Sequence, residues 1–380
     1  MGIESIVLRR FHRISPSRYT AMKECLLREV LTTSGNEPLL PKSPLAELGS
    51  VIHNLLEAAG HGNLEGGKNR KISDVWDALV LQVEKKMVLS PLRRHQIPLC
   101  RSIPDFEVRK LRACRRAAEI AHDVLLLQDG PHRQSSEPVG FELWIESHDG
   151  LVGGYIDRVT MTKAGVVLSD YKSGAVLDFG TEEGCGELKR AYKEQIKLYA
   201  ALYHLKCRAW PIRLEVVPLQ GMPMEVFSDP KESERLIEDA STFLYAANRR
   251  ITEVEDGRAE ITSLASPQAV YCRLCLFRPA CQAYWNARRL EPREKWPSDM
   301  KGYLRETTRL RNGKVCMRIA EGDSSMVPCV TVRDLTDSID RHPLLHLAVI
   351  GSRVAIYGLR YQSRSGDYTE TQNTVIYEAD

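Results

Sequence analysis

Two aspartates and a lysine sit inside what read as core strands: residues 151–174 run LVGGYIDRVTMTKAGVVLSDYKSG. Side chains alternate along a strand with period two. Tyr155, Asp157, Val159 and Met161 therefore share one face, and Val166, Leu168, Asp170 and Lys172 share one in the next run. The TKAG stretch between the runs is short enough to turn a hairpin. With Thr162 opposite Gly165, Asp157 falls opposite Asp170, and directly opposed Cβ atoms stand about 4.5–5.5 Å apart. Like charges at that spacing repel and need something positive between them. Lys172 projects from its own strand, so a divalent cation on oxygen ligands is the more economical answer. A buried ion pair of either aspartate with Lys172 or Arg158 is the blander reading of the same residues.

A second group with chemical potential is AVYCRLCLFRPACQAYW, where Cys272, Cys275 and Cys281 follow C-x2-C-x5-C. Three thiolates so close can grip one face of a metal or cluster, and a fourth must come from elsewhere. The spacing fits structural zinc and an iron–sulfur cluster equally and does not pick the fourth ligand. The chain has 10 cysteines, which with no sign of secretion points to thiols and metal rather than a disulfide framework.

The elements that must position these residues follow from pattern. Helices are expected over 15–33, around PLAELGSVIHNLLEAAGHG, over 73–89 and over 106–128. Strands are expected over 138–146, 151–161 and 166–172, then an amphipathic helix over 187–206 and strands over 212–218 and 222–228. Another helix covers about 230–250, and Pro292 and Pro297 mark a linker. The remaining segment is β-rich, with a hairpin around a Ser-Gly-Asp turn. This order implies an α/β core with a small β-rich C-terminal appendage, whose short strands suit an OB-like barrel that binds single strands or a partner protein.

Hydrophobic content of 43% and charged content of 27% are those of an ordinary soluble protein. A net charge of +3 means that nucleic-acid binding must come from local patches. Arg109, Arg112 and Arg116 make one such helical stripe, although a solvated face reads the same way. The N-terminus lacks a signal-peptide core and no run reaches membrane-spanning length, so a cytoplasmic protein without membrane contact is expected. No Walker A loop is present, so the chain does not itself unwind DNA.

Taken in order, these motifs resemble the iron–sulfur branch of the PD-(D/E)xK nuclease superfamily, which includes RecB- and AddB-like domains and CRISPR-adaptation exonucleases. CLLREVL resembles the N-terminal cluster-cysteine segment, and LGSVIHNLLE the G-x-x-x-H helix. GGYIDRV and VVLSDYKSG resemble the G-x-x-D and D-x-K strands, and EQIKLYAALY the Q-x-x-x-Y helix. The resemblance covers about residues 15–285. It implies a restriction-endonuclease-like core, a mixed sheet flanked by helices, over 1–290, with a helical insert at about 60–135 and the β-rich domain at 291–380. It implies Asp157, Asp170, Lys172, Gln195 and Tyr199 as catalytic residues. His53, Asp157, Asp170 and the Tyr171 carbonyl would be ligands for Mg²⁺ or Mn²⁺, and Cys25, Cys272, Cys275 and Cys281 for a 4Fe-4S cluster. Lys172 would orient the attacking water, and Glu142 in GFELWIE is left open between a further carboxylate and a supporting group. The implied activity is DNA phosphodiester hydrolysis on single strands or ends, exonuclease rather than endonuclease, in bacterial repair, recombination or phage defence. A helicase or other defence or repair subunit would dock on the C-terminal domain. The alternative is a DNA-end-binding or scaffold subunit with latent nuclease activity.

Overall fold

The computed structural model describes residues 6–62, 64, 72–129, 139–178, 186–321 and 329–379. From the N-terminus come helices α1 (Pro16–Glu24), α2 (Leu26–Thr33), α3 (Pro44–Gly60), α4 (Ile72–Val88), α5 (Leu99–Ser102) and α6 (Phe106–Asp129). Strands β1 (Gly140–Glu146), β2 (Gly153–Thr162), β3 (Gly165–Lys172), β4 (Leu177–Asp178) and β5 (Glu187–Leu188) follow. Then come α7 (Arg190–Cys207), β6 (Arg213–Pro218), β7 (Met224–Glu225), α8 (Pro230–Glu255), α9 (Ala269–Cys272) and α10 (Gln282–Leu290). The C-terminal part holds β8 (Ser298–Arg309), β9 (Lys314–Glu321), β10 (Cys329–Thr336), α11 (Pro343–Leu347), β11 (Arg353–Gln362), β12 (Asp367–Thr369) and β13 (Val375–Glu378). Among the described residues no helix is long and apolar enough to cross a membrane.

The central sheet runs β1-β2-β3-β6-β7. Its first three strands form an antiparallel meander, and α7 crosses over to bring β6 parallel to β3. The meander arises because TKAG closes a tight hairpin: Gly165 takes φ +140°, and the Thr162 hydroxyl donates to the Gly165 carbonyl at 2.7 Å. The expected register holds, from Thr162 opposite Gly165 to Arg158 opposite Ser169. One core joins α7, α8, α1 and α2 to the sheet, with Ile196, Leu202, Leu168, Val216, Leu244 and Met22 at its centre. A second joins α3, α4 and α6, and reaches Phe141 and Tyr171 on the sheet.

Helix α3 starts where Ser43 accepts the Ala46 amide at 3.2 Å and Pro44 takes the first turn. Two of its glycines allow a close approach. A Cβ on Gly49 would stand 3.3 Å from Ser173 Oγ, and one on Gly60 would run into the Phe141 ring at 2.6 Å. Between about 60 and 135, where a helical insert is expected, the described residues hold α4, α5 and α6 joined by turns, while residues 63, 65–71 and 130–135 lie outside the described ones.

Two expectations change. The helix predicted over 15–33 breaks at Cys25, which is extended (φ −159°, ψ 103°) and ends α1 while starting α2. No proline or glycine marks that break, so only tertiary packing sets it. The strand predicted over 222–228 shrinks to Met224–Glu225, because Gly221 takes φ +104° and Pro223 offers no amide.

Strands β8 to β12 close into a barrel in the order β8-β9-β10-β12-β11-β8, with β10 and β12 parallel and β13 added on β11. This five-stranded closure, with α11 between β10 and β11, is compatible with an OB-like barrel. The barrel is not an appendage on a tether. Trp285, Tyr284, Trp296, Tyr357 and Leu40 form one buried cluster across its junction with the cysteine segment.

Candidate active site

Three chain segments meet where β2 and β3 leave the hairpin. Asp157 Oδ2 accepts the Tyr171 amide at 2.6 Å, which ties the first aspartate to the residue between Asp170 and Lys172. Asp157 Oδ1 faces the imidazole of His53, on α3, with Nε2 at 4.0 Å, and Glu142 Oε1 lies 3.7 Å from the same nitrogen. One ligand atom each from His53, Glu142 and Asp157 all fall within 4.8 Å of one another, the one such group among the described residues. Two carboxylate oxygens and an imidazole nitrogen are a donor set that suits a hard divalent cation, Mn²⁺ more readily than Mg²⁺.

Glu142 owes its aim to its backbone. It takes φ +47°, a left-handed conformation costly for a residue with a Cβ. On either side the register is regular, Phe141 opposite Arg158 and Leu143 opposite Ile156, so Glu142 falls beside Asp157. A lone glutamate in a strand gives no sequence signal for this, which is why its role stayed open.

A second, directly adjoining network centres on Asp170. Gln195 Nε2 donates to Asp170 Oδ1 at 2.7 Å, and Lys172 Nζ donates to Gln195 Oε1 at 2.8 Å. Lys172 Nζ also lies 2.6 Å from Asp170 Oδ2, an ion pair whose angle is not that of a directed hydrogen bond. The ammonium sits 4.7 Å above the ring of Tyr192, one turn before Gln195 on α7. Sequence reasoning missed Tyr192; its i, i+3 spacing to Gln195 was the available clue. Tyr199 lies on the same helix, and its hydroxyl donates at 2.6 Å to the Tyr155 carbonyl rather than to a carboxylate.

Burial dominates the electrostatics. It pushes the Asp157 carboxyl well above the usual range, helped by the charge of Asp170, while the Tyr171 amide and Lys172 oppose it. Burial raises Asp170 as well, against the pull of Lys172. Glu142 is raised by burial, with His53 countering. Three carboxyl groups that resist ionising so close together are stabilised as anions when a cation joins them.

The four predicted cysteine ligands converge too. Cys25, Cys272, Cys275 and Cys281 all line one cavity of about 100 Å³. Burial pushes the Cys272 thiol up to about 11 and Cys275 up to about 12, and raises Cys281; neighbouring cysteines, Cys25 included, add to each shift. Among the described residues no three of these sulfurs stand within 4.8 Å of one another. Tetrahedral zinc, with Zn–S bonds near 2.3 Å, would hold its sulfurs about 3.8 Å apart. The basic stripe on α6 is less available than its sequence suggested. Arg109 pairs with Asp105, and Arg116 pairs with Glu119 and the carbonyls of Pro218 and Gly221.

The crystal structure of a candidate exonuclease from Eubacterium rectale is similar at 12% identity, over 65% of this chain and 83% of that one. Its TM-score of 0.35 is too low to carry an argument. No curated protein matches the chain. The family model of the PD-(D/E)XK nuclease superfamily matches residues 13–282, a span that takes in His53, Glu142, the aspartate hairpin and α7 and ends just past Cys281. With that match over most of its length, the chain belongs to the PD-(D/E)XK nuclease superfamily.

Proposed function

We propose that this chain is a metal-dependent deoxyribonuclease that works on single strands or ends, as an exonuclease, in the cytoplasm of a bacterium during repair, recombination or phage defence. The observation that carries it is the juxtaposition of the His53–Glu142–Asp157 donor group with the Asp170–Lys172–Gln195 network, on strands β1 to β3 and helices α3 and α7. His53, Glu142 and Asp157 would hold a divalent cation, with Asp170 and the Tyr171 carbonyl as further oxygen donors. When bound, Mg²⁺ or Mn²⁺ supplies Lewis-acid stabilisation of the phosphate and a more acidic water. Lys172, fixed by Asp170, Gln195 and Tyr192, orients the attacking water and answers the negative charge that grows on the phosphate oxygens. Gln195 keeps the lysine and Asp170 in register, and Tyr199 holds the β2 backbone at Tyr155.

The cysteine cavity supports the iron–sulfur branch of the superfamily, with Cys25, Cys272, Cys275 and Cys281 as ligands of a 4Fe-4S cluster. Their spread is wider than a single zinc ion needs. We assign the nuclease unit to residues 1–290 and the barrel to 291–380. Leu347, Val349 and Ile350 are exposed on the β10–β11 connection, which supports a docking role for a helicase or other subunit.

Cleavage of 5′- and 3′-labelled linear strands, with a circular single strand as control and Mn²⁺ as cofactor, tests the reading. Wild-type protein should cut the linear strands, and Lys172→Ala should lose that activity while still binding metal by calorimetry. Wild-type rates in both Lys172→Ala and Asp170→Ala would reduce the hairpin to a buried ion pair.

A further inference from the structure

The wall of the groove beside the metal group carries a pair of aromatic rings that the chemistry above does not use. Trp144 and Tyr155 are register partners across β1 and β2, with ring centroids 4.9 Å apart at 65°. Both line a cavity of about 470 Å³ together with Asp157, Asp170 and Lys172. Tyr155 is 57% exposed, an unusual position for a large ring on a central strand. A cross-strand aromatic pair can serve the sheet alone, but such a pair has no need to stand open to this particular groove.

The pair is also held stiffly. The Arg13 guanidinium lies 4.9 Å over the Trp144 ring and is fixed by Glu146 Oε2 at 3.0 Å. The Tyr155 backbone is pinned by the Tyr199 hydroxyl, and Lys206 Nζ donates to the Trp144 carbonyl at 2.9 Å. Tyr155 precedes Asp157 by two residues on the same strand, so the exposed ring stands about 7 Å along the strand from the carboxylate, on the same face. That is about the reach of one extended nucleotide. Ser15 and Ser17 line the same groove and offer hydroxyl donors suited to phosphate oxygens.

We infer that Trp144 and Tyr155 form a base-stacking platform one nucleotide from the metal group, and that it makes this site select unpaired nucleotides. A ring can stack only on a base whose face is free, and a base inside a duplex has both faces covered. The inference rests on the nuclease reading for what enters the groove, but its test needs no cleavage.

Full-length protein in chelator is titrated against a labelled oligothymidylate and against a duplex of equal length, followed by fluorescence anisotropy. Stacking of one base, judged by alanine substitution, is worth about 1–3 kcal/mol, or about 5- to 150-fold in affinity. Tyr155→Ala should lose that factor on the single strand and leave duplex binding unchanged, while Tyr155→Phe should bind as the wild type does. An abasic position walked along the oligonucleotide should weaken wild-type binding at one register and leave Tyr155→Ala indifferent to it. The platform is overturned if Tyr155→Ala binds the single strand like the wild type, if it loses both substrates equally, or if the wild type does not bind the single strand. Cleavage with Mn²⁺ is scored separately. A selective Tyr155→Ala defect in a wild type that never cuts sinks the nuclease reading alone, and cutting without the defect sinks the platform alone.

Discussion

Replacing Asp299 with alanine should destabilise the whole protein, although the residue lies far in sequence from every nuclease motif. Its carboxylate is fully buried and takes four donors. Arg278 reaches it through Nε at 2.6 Å and Nη2 at 3.2 Å, the Tyr284 hydroxyl at 2.9 Å and the Gly358 amide at 2.8 Å. The third guanidinium nitrogen donates to the Cys275 carbonyl at 3.1 Å. Asp299→Ala leaves the guanidinium buried without its counter-charge, and breaking such a pair costs about 3–5 kcal/mol. The orphaned hydroxyl and amide would add about 1–3 kcal/mol each if no water reached them, though such terms do not simply add. The floor of about 3 kcal/mol is already a large part of a typical total of about 5–15 kcal/mol. Urea unfolding followed by tryptophan fluorescence reads it directly, because Trp285 and Trp296 sit in the junction. Arg278→Met combined with Asp299→Ala removes both charges and should recover much of the loss. A loss below about 1 kcal/mol, or a double variant no better than the single one, would refute the reasoning. The same logic says that truncation near Pro292 does not liberate a stable nuclease unit, since it removes Asp299 and uncovers Tyr284 and Trp285.

Acidification should weaken the barrel at Glu370. Burial would raise that carboxyl, but the His342, Thr336 and Arg341 contacts hold it down at about 2. Burial holds His342 below its ordinary value, while its Nε2 stays 2.8 Å from Glu370 Oε1 beside the Thr336 and Arg341 contacts. A depressed carboxyl contributes stability that is present above its unfolded value of 4.5 and lost as pH falls toward about 2. The total is on the order of 3 kcal/mol at about 1.4 kcal/mol per pH unit, and Glu370→Gln should flatten that part of a stability–pH profile. At the cysteine cavity, Cys25→Ala should lose iron and colour as fully as Cys272→Ala does; a normal iron content in Cys25→Ala would exclude it as the fourth ligand.

The hairpin was legible because its information is local. Period two and a short glycine turn set the register as far as Arg158 opposite Ser169, which leaves Asp157 and Asp170 at the same end of the two strands. The Q-x-x-x-Y helix was legible for the same reason, since 3.6-residue periodicity puts Gln195 and Tyr199 on one face. What the sequence hid depends on long-range packing. Glu142 reaches the site through a left-handed backbone that nothing in GFELWIE announces. Asp299 and Arg278 look like ordinary charges on either side of a linker, and only the docking of the barrel turns them into a buried pair. The break at Cys25 is of the same kind, imposed from outside on nine helix-compatible residues before it and eight after.

That break also gives the cysteine cavity a structural route to the hairpin. Cys25 directly follows the last residue of α1, Glu24, and α1 packs along α7. The Thr20 hydroxyl donates to Glu194 Oε2 at 2.9 Å, and Lys23 lies 3.7 Å from the same oxygen. Glu194 is the neighbour of Gln195, which holds both Lys172 and Asp170. At its other end α1 begins at Pro16, close enough to Gly154 that a Cβ there would stand 3.1 Å from the proline ring and 3.2 Å from the Tyr199 hydroxyl. A metal or cluster joining Cys25 to the 272–281 segment would therefore clamp α1, and α1 in turn would fix the helix that aims the lysine and the strand that carries Tyr155 and Asp157. Loss of the clamp should loosen the geometry of the site before it unfolds the sheet, because the sheet keeps the aliphatic core beneath it, Ile196, Leu168 and Val216 among it.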